Sequence, residues 1–317
     1  MSAAPPRSRR AAARPVSDDG YVPEGQSMLR HVQGERRVGL MFGQRALCVG
    51  AIKPLNYVGT TEHSGHKGEP FRRLTRTAIG FETIFFGGRA EADKVLSYVH
   101  NMHRRVHGVL PEAAGIYPAG TPYDAFDASL MVWTVAAMMD SAEVMYDLLV
   151  RRLDDDERAA LWRDYRAFAE LFGTPRDALP ASYGEFREYF AAELASPDCY
   201  LTEQARYVGW FSAFAIPSRA LRGPLMSAHN LIVRGSLPPS VRERYGLSWG
   251  SREQAAFAAL TGAQRLARPA TPSFLARGAN TATFRGIARE EARRLKSGRP
   301  TPHLRPDGSP GTRMSLV

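Results

Sequence analysis

Cysteine is nearly absent from this chain: Cys48 and Cys199 are the only two in 317 residues, far apart and in no ligand spacing. That excludes a disulfide framework and a thiolate metal cluster, and it fits a reducing compartment. Both read as small core residues. Long uncharged apolar runs are missing as well. The most apolar stretch, Ser129 to Val150, is interrupted by Asp140, Glu143 and Asp147, so it reads as a buried core helix and not as an integral membrane segment. Arg9-Arg10 is followed by Ala-Ala-Ala-Arg-Pro-Val-Ser-Asp-Asp, which lacks the apolar region a twin-arginine export signal needs. The expected location is cytoplasmic. No strand alternation, internal repeat, zinc-finger spacing or RNA-binding aromatic signature is evident.

What the chain does have is basic charge and helical periodicity. The formal net charge of +10 is concentrated at the ends, in Arg7, Arg9, Arg10 and Arg14 and again in Arg285, Arg289, Arg293, Arg294, Lys296 and Arg299. The middle mixes signs, as in Asp154-Asp155-Asp156-Glu157-Arg158, so no nucleic-acid partner is expected and the ends read as solvated tails. A hydrophobic content of 44% suffices for a core large enough to enclose a cofactor. Residues 1–26, rich in Pro, Ala, Arg and Ser, are expected to be a disordered basic tail. Residues 27–270 read as a single all-α domain. Its expected helices are 38–49, 71–86, 89–107, 124–152, 155–172, 183–195, 201–214, 219–233 and 252–267, with Asp154 and Glu157 forming a capping box at the fifth. Residues 271–317 read as a Pro/Arg-rich extension with one short helix near 285–296.

Three histidines mark the segment Val95 to Gly108, VLSYVHNMHRRVHG. With helical phase, Val95, Val99, Met102 and Val106 form the expected buried stripe and Gly108 the expected C-cap. His103 lies roughly 70° from the stripe centre, with His107 and His100 at roughly 110° and 130°. Three readings stay open on residues alone. The histidines stabilise a helix C-terminus; or a pair of them binds a non-haem metal, although Glu91 and Asp93 lie more than two turns away; or one of them is the axial ligand of an enclosed haem. Upstream, Glu69-Pro-Phe-Arg-Arg-Leu-Thr-Arg-Thr77 starts a helix that presents Arg73, Arg76 and Thr77 within one turn. Cations there oppose the helix dipole, so an anionic partner is expected, either a propionate or a buried carboxylate. His63-Ser64-Gly65-His66 reads as an exposed polar loop.

In order, Glu62-His63-Ser64, Pro70-x-x-Arg73-Leu74-x-Arg76-Thr77, Phe86-Gly87 and His103-x-x-Val106-x-Gly108 resemble the mpaB/rubber oxygenase (latex-clearing protein) catalytic-domain family. Tyr123-x-Ala125-x-Asp127, Trp133, Asp140-Ser141-Ala142 and Leu237-Pro238-Pro239-x-x-Arg242-x-x-Tyr245-Gly246-Leu247 extend the match over about residues 29 to 270. The resemblance implies an all-helical fold enclosing haem b, and an oxygenase that cleaves isoprenoid double bonds with dioxygen. It makes His103 the proximal iron ligand and places Arg73 and Thr77 on the distal side. Arg76 stands where the rubber-cleaving branch has lysine; being always protonated, it is not an iron ligand and is left to orient dioxygen or hold a propionate. Trp133 is expected to line the cofactor cavity. Two positions depart from the family pattern: Ile52-Lys53-Pro54 replaces Ala-His-Pro, and Trp133-Thr134-Val135 replaces Trp-Val-His. The expected function is a haem b-dependent oxygenase acting on an apolar, isoprenoid or prenylated small molecule, the alternative being a non-catalytic haem-binding or sensor protein of the same fold.

Overall fold

Asp127 starts the helix around which the others are arranged. Its carboxylate accepts the backbone N–H groups of Ser129 and Leu130, and α6 then runs over Ala128–Leu149. In this computed structural model, which describes residues 20–63 and 69–298, α6 is buried on nearly every side. Trp133, Met139, Met145, Tyr146 and Leu149 are each almost fully buried, and each stabilises the core by about 1.5–3 kcal/mol. Its buried charges are paired: Asp140 lies 2.6 Å from both Arg45 and Arg187, and Glu143 accepts from Tyr183 at 2.7 Å and from Arg158. Among the described residues no helix is long and apolar enough to cross a membrane.

The other helices are α1 (Met28–Gln33), α2 (Arg36–Gly50), α3 (Pro54–Glu62), α4 (Pro70–Phe86), α5 (Arg89–His103), α7 (Asp155–Leu171), α8 (Tyr183–Ala195), α9 (Glu203–Phe214), α10 (Pro224–Ser236), α11 (Pro239–Arg244), α12 (Ser251–Ala267), α13 (Ser273–Ala276) and α14 (Thr281–Lys296). The all-α expectation holds. Asp154 and Glu157 form the expected capping box at α7. Cys48 and Cys199 are buried, free thiols. The segment after residue 271 carries more than a short helix: α14 has 16 residues and packs on α4, with Glu82 accepting from the Asn280 backbone and from the Thr281 hydroxyl. Residues 1–19 and 299–317 of the expected tails, and His66, lie outside the described residues.

Three expectations are corrected. The helix drawn over 89–107 ends at His103, and Arg104, still helical in its backbone angles, is the C-cap in place of Gly108. The chain then turns, with the Val106 N–H donating to the His103 carbonyl, and forms a strand where none was expected: β1 (His107–Val109) pairs antiparallel with β2 (Pro122–Asp124). Tertiary contact drives this turn, because Val106 leaves the helical stripe to pack on Gly59 of α3. The buried stripe of α5 is also rotated from its expected phase. Ala92 and Leu96 line the core, Val95 and Val99 are half-buried, and Met102 is 44% exposed. His103 lies seven residues beyond Leu96, within about 20° of it, so it sits in line with the true stripe and not at its edge.

Candidate functional site at the α4–α5 pair

Pro70 opens α4 with its ring in the first turn. The first turn of this helix meets a carboxylate from another helix. The buried Glu291 of α14 accepts the backbone N–H groups of Phe71 at 3.1 Å and Arg72 at 2.9 Å. Burial raises the pKa of this carboxyl against the pull of those two hydrogen bonds. Of the two anions expected there, the buried carboxylate is therefore supplied by the chain itself.

Helices α4 and α5 are joined only by Gly87 and Gly88 and pack against each other. Gly80 sets their register, since a Cβ there would lie 3.4 Å from Val95 Cγ1. Arg73 is seven residues before Gly80 and Met102 seven after Val95, so the pair brings Arg73 level with the last turn of α5. Arg73 is half-buried and donates to the Thr60 carbonyl at 3.2 Å. Burial lowers its pKa, partly opposed by the nearby Tyr57. Arg76 and Thr77 are exposed, and the Thr77 hydroxyl donates to the Arg73 carbonyl at 3.3 Å.

His103 is half-buried at the end of α5. Its ring meets Phe126 edge-on at 5.9 Å, and Phe126 also contacts His100. The His103 Nδ1 atom is buried and makes no hydrogen bond. Burial, then the His100 charge, lowers its pKa, so the imidazole is neutral at neutral pH and keeps a lone pair for a ligand. His107 lies on β1 and is exposed, away from the helical face it was expected to share. His63 hydrogen-bonds Tyr123 at 3.0 Å, which ties the end of α3 to β2. Among the described residues, no group of three His, Cys, Asp or Glu side chains could hold a metal ion. A tetrapyrrole needs only one such side chain.

Trp133 lies elsewhere. It stacks on Phe190 at 5.6 Å, donates to the Gly50 carbonyl at 3.2 Å, and lines a cleft of about 340 Å³ that includes neither His103 nor Arg73. Lys53 stands in the same cleft, 5.6 Å from the Trp133 ring, with its ammonium 2.5 Å from both Glu193 and Asp198. Burial opposes this charge, but the hydrogen bonds to Asp198 and Glu193 outweigh it and raise the pKa. Sequence reasoning passed over this ion cluster and the Tyr57 phenol beside Arg73. The ion cluster has no motif, since partners 140 or more residues apart leave no local spacing.

The model of a family described as "ER-bound oxygenase mpaB/B'/Rubber oxygenase, catalytic domain" matches residues 30–266. The chain is 25% identical over 201 residues to "Uncharacterized protein Mb2261" of Mycobacterium bovis, and equally to "Uncharacterized protein Rv2237" of Mycobacterium tuberculosis. Each alignment covers 62% of this chain and 74% of the relative. No solved structure matches.

Proposed function

The chain belongs to the mpaB/rubber oxygenase catalytic-domain family, and from that premise we propose that it is a haem b-dependent oxygenase acting on an apolar, isoprenoid or prenylated substrate with dioxygen. The observation that carries the reading is the buried, unpartnered Nδ1 of a neutral imidazole at the end of α5, level with the half-buried Arg73 across the pair. These groups fit a haem: one neutral histidine to hold iron, and a guanidinium at the same level of the helix pair for an anionic group. Bound haem would supply the redox chemistry with dioxygen that no protein side chain provides.

The chain's own residues have separable tasks. His103 offers the lone pair, and Phe126 against its ring edge restricts the imidazole's rotation. Arg73 presents a partly desolvated cation, which favours an anionic oxygen more strongly than an exposed one would. Thr77 acts on Arg73 through the backbone, and Arg76, exposed and protonated, reaches ligand only from the rim. An apolar approach fits the exposed Tyr98 and Met102 on α5 and Phe126 beside its end. Trp133 would then wall a neighbouring cleft for substrate, not the cofactor itself.

The deciding experiment is the absorption spectrum of haem-reconstituted protein beside His103→Ala and His100→Ala, with oxygen uptake measured on prenyl and polyene substrates. A Soret band in the wild type and in His100→Ala, lost or shifted in His103→Ala, is expected. A haem-replete wild-type sample with no Soret band would end the reading.

A further inference from the structure

Tyr57 is 6% exposed, and its hydroxyl is buried without a hydrogen-bond partner. Buried phenols ordinarily donate to something, because an unmade hydrogen bond costs the desolvation of the group. The setting narrows what that something is. Arg73 donates to the carbonyl of Thr60, which stands three residues, about one turn, beyond Tyr57 on α3. The phenol and the guanidinium thus share one side of the α3–α4 contact, close enough for the Arg73 charge to act on Tyr57. A guanidinium only donates, and a neutral phenol beside it is free to donate. An acceptor oxygen placed there would take the phenol O–H together with guanidinium N–H groups, and a partly desolvated cation favours one that carries negative charge.

We propose that Tyr57 and Arg73 form a carboxylate-binding subsite, in which the phenol O–H and the guanidinium N–H groups donate to one carboxylate of a ligand bound between α3 and α4. The inference rests on the reading of the α4–α5 pair as the ligand site, and it adds a residue and a ligand chemistry that the motifs do not contain. The carboxylate has two sources, a propionate of the porphyrin or the head group of an apolar acid serving as substrate. Fixing that end orients the remainder of the ligand toward the end of α5.

The test uses the full chain without haem, as wild type, Tyr57→Phe and Arg73→Gln. Each is titrated with haem b and with its dimethyl ester, followed at the Soret band. Each is also titrated with a prenyl carboxylic acid and its methyl ester, followed by calorimetry. In at least one pair the wild type is expected to prefer the acid by about tenfold or more, the worth of a charge-assisted hydrogen bond. Tyr57→Phe should weaken acid binding about tenfold and leave ester binding unchanged, and the pair that responds identifies the source. Equal affinity for acid and ester in both pairs, or a preference undiminished in Tyr57→Phe, overturns the proposal. If wild type binds neither haem nor its ester, the haem reading falls, and the prenyl pair still decides this one. Ligand-free Tyr57→Phe should melt at or above the wild-type temperature. A clear drop would show that the hydroxyl already has a partner within the chain, and would overturn the proposal even if Arg73→Gln fails to fold.

Discussion

Gly80 and Val95 meet across the α4–α5 pair, where a Cβ on the glycine would lie 3.4 Å from Val95 Cγ1. That contact lies between the Arg73 turn and the connection to α5. Gly80→Ala adds a methyl at ordinary contact distance and removes the helix penalty of glycine, so stability should rise by up to about 1 kcal/mol. Gly80→Leu must displace the Val95 side chain and should cost about 1–3 kcal/mol as the helices part. It should also loosen binding of any ligand spanning Arg73 and His103. Urea midpoints of the two variants, measured with and without ligand, check both halves.

Acid should weaken the fold from slightly acidic pH downward. Burial lowers the pKa of His229, which hydrogen-bonds the Ala213 carbonyl at 3.2 Å, and of His31, 2.9 Å from the Tyr146 hydroxyl. Their unfolded values lie near 6.5, so below that pH the unfolded chain binds protons the folded chain refuses. Stability is therefore full above 6.5 and declines as pH falls toward the folded values. A urea series from pH 7.5 to 5.5 should show the decline, and it should be shallower in a His31→Gln, His229→Gln double variant.

A second acid step should follow at lower pH. The hydrogen bonds from Arg151 hold Glu157 down to about 2, and Glu157 closes the capping box of α7. A carboxyl depressed in this way stabilises the fold above its unfolded pKa near 4.5 and loses that contribution as pH falls toward about 2. Glu157→Gln should cost about 1 kcal/mol at neutral pH, the scale of a cap plus an exposed ion pair. The difference from wild type should shrink between pH 4.5 and 3.

How much of this was legible in the sequence depended on where the information lay. Helix α8 begins as expected because Ser182 and Glu185 cap its start locally, and α7 because Asp154 does. Helix α3 was missed. Its Asn, Val, Gly and two Thr residues have poor helix propensity, and contacts such as Gly59 against Val106 and Tyr123 hold it. The phase of α5 was misread because Val and Met outrank Ala in hydrophobicity, whereas Ala92 is the residue small enough to face the core. Several family motif positions prove to be scaffold: Asp127 caps α6, Asp140 pairs with Arg45, and Arg242 donates to the Leu237 carbonyl at 2.7 Å. The order of those positions made the family readable. The unpartnered hydroxyl of Tyr57 was not readable, since a missing partner is a property of the folded surroundings alone.

The departures from the family pattern yield the last prediction. Lys53 stands where histidine is the usual residue, and its buried ammonium neutralises Glu193 and Asp198 while tying the start of α3 to the end of α8 and the loop beyond it. Those two carboxylates keep 29% and 22% of their side-chain surface exposed, so water compensates part of their charge once the lysine is gone. Lys53→Met should therefore cost about 2–3 kcal/mol, below the 3–5 kcal/mol of a fully buried broken pair. Lys53→His should cost nearly as much, because an imidazole is shorter and does not reach both carboxylates at the position of the lysine ammonium. A Lys53→His protein as stable as wild type at pH 7.5 would show that the cleft tolerates the usual family residue and that the ion cluster is dispensable.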